Sequence, residues 1–97
     1  VKMKNIGEIL RELRESKDLP LRTVAAFLDI DQAILSRIER GQRKASREQI
    51  VKLAEYFNVD ENELLIAWLA DQVTAVVADD KKIADKVLNI AKEQIKQ

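Results

Sequence analysis

The sequence predicts an all-α protein. Three observations carry that expectation. Apolar residues recur at spacings of three and four, as at Ile6, Ile9, Leu10 and Leu13. The breaks between such runs fall on residues that cap or stop helices: Asn5, Asp18, Asp29, Asp31, Ser46, Asn58 and Asp60. No segment alternates cleanly between apolar and polar with period two, so strands find no support. The expected architecture is five short helices forming one domain over residues 1–65. The fifth helix runs on, and a further amphipathic helix follows, so that residues 66–97 form a C-terminal helical extension.

Each element has a local reason. Asn5 and Glu8 stand at the spacing of a capping box and open a first helix over about 6–17. Asp18 can take the left-handed conformation that stops it, and Pro20 is tolerated in the first turn of the next. A second helix over 21–28 buries Val24, Ala25 and Leu28. Asp29 breaks the pattern, Ile30 packs inward, and Asp31 caps a third helix over 32–40, which Gly41 ends. Ser46 and Gln49 repeat the capping-box spacing before Ile50, Leu53, Ala54 and Phe57. Asn58, Val59 and Asp60 then repeat the terminator, apolar plug and cap of residues 29–31. A stripe through Leu64, Leu65, Trp68, Leu69, Val73, Val76 and Val77 carries the fifth helix to about 78. Asp79 or Asp80 is the expected cap of a last helix, with Ile83, Ala84, Val87, Leu88, Ala91 and Ile95 on one face.

Composition excludes several function classes. Ninety-seven residues allow one domain with an extension. A hydrophobic share of 46% beside 35% charged residues fits a folded chain and not a disordered one. The absence of Cys and His removes disulfides, thiolate sites and most zinc or general-base chemistry. No cofactor and no metal are expected, and an enzyme is a distant reading, because no carboxylate pair with unequal burial can be argued. The apolar run 64–70 is too short to span a bilayer, the N-terminal segment lacks a signal-peptide core, and a cytoplasmic location is expected.

Net charge is zero, but its distribution is uneven. Residues 1–50 hold eleven Lys and Arg against eight acids; residues 51–97 hold six against nine. Between Arg37 and Arg47 stand five bases and one acid, Glu39. The patch directly follows a helix presenting Gln32, Ser36 and Arg37 on one side and Leu35 and Ile38 on the other. Two short helices joined by a tight turn, the second offering amide and guanidinium groups, have the shape and chemistry that enter a DNA major groove. Phosphate contacts from a local basic patch do not require a basic protein.

At Ile6 to Leu65 the chain resembles the lambda-repressor-like, Cro-type (XRE) helix-turn-helix regulators. The residues that carry the likeness are IGEILRELRESKDL, VAAFLDIDQAILSRIERG and IVKLAEYFNVDENELL, with Gly7, Arg11, Arg14, Ala25, Ser36, Ile38, Glu39 and Gly41 in register. The resemblance implies a five-helix fold in which helix 3 reads bases with Gln32, Ala33, Ser36 and Arg37. Gln pairs with adenine and Arg with guanine, and Ala33 offers a methyl contact. It implies phosphate contacts from Arg22, Arg40, Arg43, Lys44 and Arg47, and a structural ion pair between Arg14 and Glu39. Two positions depart from the family pattern: Leu21 stands where Gln is common, and Asp29 where Gly is preferred. Ile34 is unusual if it faces solvent.

The extension suggests a dimer seam through Trp68, Leu69, Val73 and Val76, although the first reading of Trp68 by itself is ordinary core packing. The partners expected are double-stranded DNA, as an inverted-repeat operator, and a second copy of the chain; the sequence names no small-molecule effector. Two functions stay open. One is a dimeric repressor or autoregulator. The other is a protein-interaction or antitoxin-like module that has kept the scaffold and lost base reading, with Leu21, Ala33 and Ile34 as an apolar docking surface.

Overall fold

The computed structural model describes residues 4–97, and the first three residues of the expected domain lie outside it. Six helices follow in order: α1 Ile6–Ser16, α2 Leu21–Leu28, α3 Gln32–Glu39, α4 Arg47–Phe57, α5 Glu61–Val77 and α6 Ala84–Lys96. There is no strand among the described residues.

The helix ends explain the short elements. Asp18, Asp29, Gly41 and Asn58 all take positive φ, between 53° and 75°. After each, the next N–H bonds the carbonyl five residues back: Leu19 to Arg14, Ile30 to Ala25, Gln42 to Arg37 and Val59 to Ala54, at 2.8–3.2 Å. This 6→1 bond closes the last turn and satisfies a carbonyl that would otherwise be orphaned. Leu19, Ile30 and Val59 then pack against the core, so each stop also turns the chain inward.

The starts agree less uniformly. Ser46 and Gln49 form the full reciprocal capping box. Asp31 and Asp60 each accept an N–H two residues on. Asn5 accepts from the Glu8 N–H, but the Glu8 carboxylate bonds the Asn5 side-chain amide and not its backbone. Neither Asp79 nor Asp80 caps α6 by its side chain; Ile83 holds the cap position. The reason is local: Asp80 N–H bonds Val77 O and Ile83 N–H bonds Asp80 O, so a backbone turn occupies residues 80–83 and α6 begins only after it.

The core joins α1 through α5. Leu10, Val24, Leu35, Ile50 and Leu53 are almost wholly enclosed. α5 lies on α4 and on α1, α3 on α1 and α2. The apolar stripe of α5, continuous in the sequence, divides in space. Leu64, Leu65 and Trp68 enter the core, whereas Ile66, Leu69, Val73 and Val76 face outward, Val76 being 77% exposed. Trp68, expected at a dimer seam, therefore belongs to the chain's own core. The core thus ends three residues beyond the boundary expected at residue 65. α6 buries no residue. The radius of gyration, 15.1 Å, exceeds the roughly 12.5 Å of a compact chain of this length, as a protruding extension requires.

Candidate nucleic-acid interface

The α2–turn–α3 unit is fixed from both ends. Asp29 in the left-handed region reverses the chain, and the Asp31 carboxylate accepts the Ala33 N–H at 2.8 Å. Leu35 and Ile38 bury one side of α3. That burial leaves Gln32, Ala33 and Arg37 exposed and Ser36 half-exposed on the other. The four expected base-reading residues therefore share the open side of one short helix.

The register of α3 is set by α1. Gly7 meets the end of α3 so closely that a Cβ would lie 2.5 Å from the Glu39 carbonyl oxygen and 2.7 Å from that of Ile38. Arg14 then grips the same end. Its Nε donates to Glu39 Oε2 at 2.8 Å and its Nη2 to Oε1 at 3.0 Å, a bidentate pair, while Nη1 donates to the Leu19 carbonyl at 2.8 Å. Glu39 is buried, and no buried side-chain polar atom lacks a partner among the described residues. The Glu39 hydrogen bonds hold the Arg14 guanidinium pKa above its ordinary value against the opposing effect of burial. This pair joins α1 to the last residue of α3.

The basic residues are free. Among the described residues, none of Arg22, Arg37, Arg40, Arg43, Lys44 and Arg47 is paired with a carboxylate, although five other ion pairs form. All six are exposed. Lys44 and Arg47 converge on one ring: Lys44 Nζ lies 5.6 Å and Arg47 Cζ 5.5 Å from the centre of Trp68. The Gln42 N–H bond to Arg37 O ties the start of this loop to α3.

Leu21 and Ile34 are half-buried and pack against the core, so neither offers the free apolar surface that the sequence left open. Asp29 is exposed at the turn, a carboxylate near the reading helix.

Two long-range hydrogen bonds escaped the sequence reading. Trp68 Nε1 donates to the Ala45 carbonyl at 2.9 Å and so staples α5 to the basic loop. The Asp71 carboxylate accepts the Ile6 N–H at 2.8 Å and caps α1 from α5. Their partners lie 23 and 65 residues away, and no local pattern signals them. No helix is long and apolar enough to cross a membrane among the described residues. No cluster of metal-ligating side chains occurs there either.

Comparison with known proteins agrees with this geometry. The helix-turn-helix family model matches residues 10–64, more than half of the chain. The HTH-type transcriptional regulator DdrOP3 of Deinococcus deserti is 32% identical over 72 residues. That match covers 72% of this chain but only 56% of the relative's length. Among solved structures, the restriction-modification controller protein C.AhdI of Aeromonas hydrophila is 39% identical, with a TM-score of 0.56. It aligns over 61% of this chain and 89% of its own. The clp gene regulator ClgR of Corynebacterium glutamicum aligns over 89% of this chain and 88% of its own, at 26% identity and a TM-score of 0.59. All three are described as regulators or controller proteins. On this evidence the chain belongs to the lambda-repressor-like (XRE-type) helix-turn-helix family of DNA-binding transcriptional regulators.

Proposed function

We propose that the chain is a dimeric, sequence-specific regulator, a repressor or autoregulator, that reads double-stranded DNA in the major groove with α3. One observation carries the reading. The open side of α3 holds Gln32, Ser36 and Arg37, and the loop that continues from it holds cations unpaired with any carboxylate. Base readers and phosphate binders thus follow one another on a continuous surface, in the order that docking on a groove needs. The alternative, an interaction module without base reading, needs Leu21, Ala33 and Ile34 as one apolar surface; Ala33 is exposed, but Leu21 and Ile34 are half-buried against the core, which supports it less.

In this reading Arg37 pairs with guanine and Gln32 with adenine. Arg22, Arg40, Arg43, Lys44 and Arg47 neutralise phosphates. Selection of bound sites from random duplexes at stated salt is the test, followed by Arg37→Ala on the selected site. The substitution is expected to cost about 1–3 kcal/mol on that site and to relax preference at one base pair. Equal losses on selected and random DNA would remove Arg37 from base reading. Arg43→Ala should weaken binding to all sequences alike and flatten the salt dependence by about one unit of slope.

A further inference from the structure

We infer that Trp68 is a positioning residue for the phosphate-contact loop: it anchors the loop by a hydrogen bond and orders Lys44 of the loop and Arg47 at the start of α4 over its ring. The inference rests on the DNA-binding reading and names a residue of α5 that acts through Lys44 and Arg47. Ala45 is buried in the segment between α3 and α4, beyond the backbone bonds of either helix, and its carbonyl needs a donor. The Trp68 indole N–H supplies it at 2.9 Å. Phe or Leu would fill the same core but could not donate.

The anchored residue is flanked by the two cations that lie over the Trp68 ring. A carboxylate in that place would fix Lys44 and Arg47 equally well and cancel their charge. An aromatic face attracts a cation without neutralising it. The ring therefore orders both side chains and leaves their charges for a polyanion, so less freedom is lost when phosphate binds. A cleft of about 400 Å³ lies beside the loop, lined in part by Trp68, Arg43, Lys44 and Ala45. Without its anchor the loop has room to collapse into it.

The test uses the full chain, a random-sequence DNA duplex and a graded series of salt concentrations. Trp68→Phe, which keeps a ring and removes the N–H, should bind about fivefold to tenfold more weakly on every sequence. Its salt slope should flatten by about one unit. Lys44→Ala should weaken the parent but add little to Trp68→Phe. Parent and Trp68→Phe sharing one affinity and one slope would overturn the inference while leaving the DNA-binding reading intact. If Trp68→Phe does not fold, the parent's own fluorescence decides, because Trp68 is its single Trp. Its emission should change on saturation with duplex and change less in the Lys44→Ala, Arg47→Ala double variant. Emission that does not respond to bound duplex overturns the inference. A parent chain that binds no duplex overturns the DNA-binding reading, and this inference with it.

Discussion

Arg14 and Glu39 show how one ion pair stands behind a reading helix. Their side chains are 13% and 6% exposed, so the pair is largely withdrawn from solvent and its oxygens are taken by fixed donors. Such a pair adds little over a well-packed apolar contact, yet breaking it strands a charge. Arg14→Ala should therefore cost about 3 kcal/mol, and the double variant Arg14→Ala, Glu39→Ala should cost less than the two single losses added together. Denaturant melts of the four proteins measure this coupling; strictly additive losses would mean that the two residues act independently. The arginine side of the pair is insensitive to ordinary pH. A pKa raised on folding contributes stability that is fully present below the unfolded value and lost only as pH rises through the folded one. For Arg14 that window is strongly alkaline.

At the scale of elements, the two glycines act for different reasons. Gly7 lies where α1 touches the last turn of α3, with carbonyl oxygens closer than any Cβ tolerates. Gly41 has open space around its Cα but a φ of 75°. Gly7→Ala should force α1 and α3 apart, at a cost of about 1–3 kcal/mol, and loosen the Arg14–Glu39 pair across the same contact. Gly41→Ala should cost about 1 kcal/mol through backbone strain alone. Thermal melts rank the two, and DNA affinity separates them further, because only Gly7→Ala displaces the reading helix as a body. A Gly7→Ala protein as stable as its parent would show that the helices part without cost. The Asp29 and Asn58 stops show that the fold tolerates side chains at positive φ where Asx residues supply them.

At the scale of the whole molecule, the unpartnered faces stand out. Ile66, Leu69, Val73 and Val76 follow one another at spacings of three, four and three along the outer side of α5. That spacing is the one helices packed side by side use at their seam. Ile83 at the cap of α6 and Val87, Ile90 and Ile95 on it add further exposed apolar side chains. Apolar surface of this extent on a small chain invites association. A two-fold dimer through residues 66–97, with Leu69, Val73 and Val76 at the seam, would cover it and set two α3 helices for an inverted repeat. Half-sites should then lie about 34–36 Å apart, one turn of the duplex. Val73→Glu should leave the helical content unchanged, since Val73 is already exposed. It should shift sedimentation equilibrium at micromolar concentration from dimer to monomer and weaken operator binding. A parent that already sediments as a monomer would dispose of the seam.

The number and type of helices, their stops at Asp18, Asp29, Gly41 and Asn58, and the open side of α3 were legible in the sequence. All follow from interactions within a few residues: a cap, a left-handed terminator, a spacing of three and four. The Arg14–Glu39 pair was legible only through the family likeness, because nothing local links residues 25 apart. The start of α6 was misread because a backbone turn holds residues 80–83 ahead of the helix, which places its first turn beyond the reach of Asp79 and Asp80. Tertiary structure alone decided the division of α5. Periodicity marks Trp68, Leu69 and Val73 as apolar but does not say which side meets α4 and which meets water. It likewise decided that Trp68 reaches back to Ala45 and Asp71 to Ile6, since a hydrogen bond between distant segments exists only once packing has brought them together.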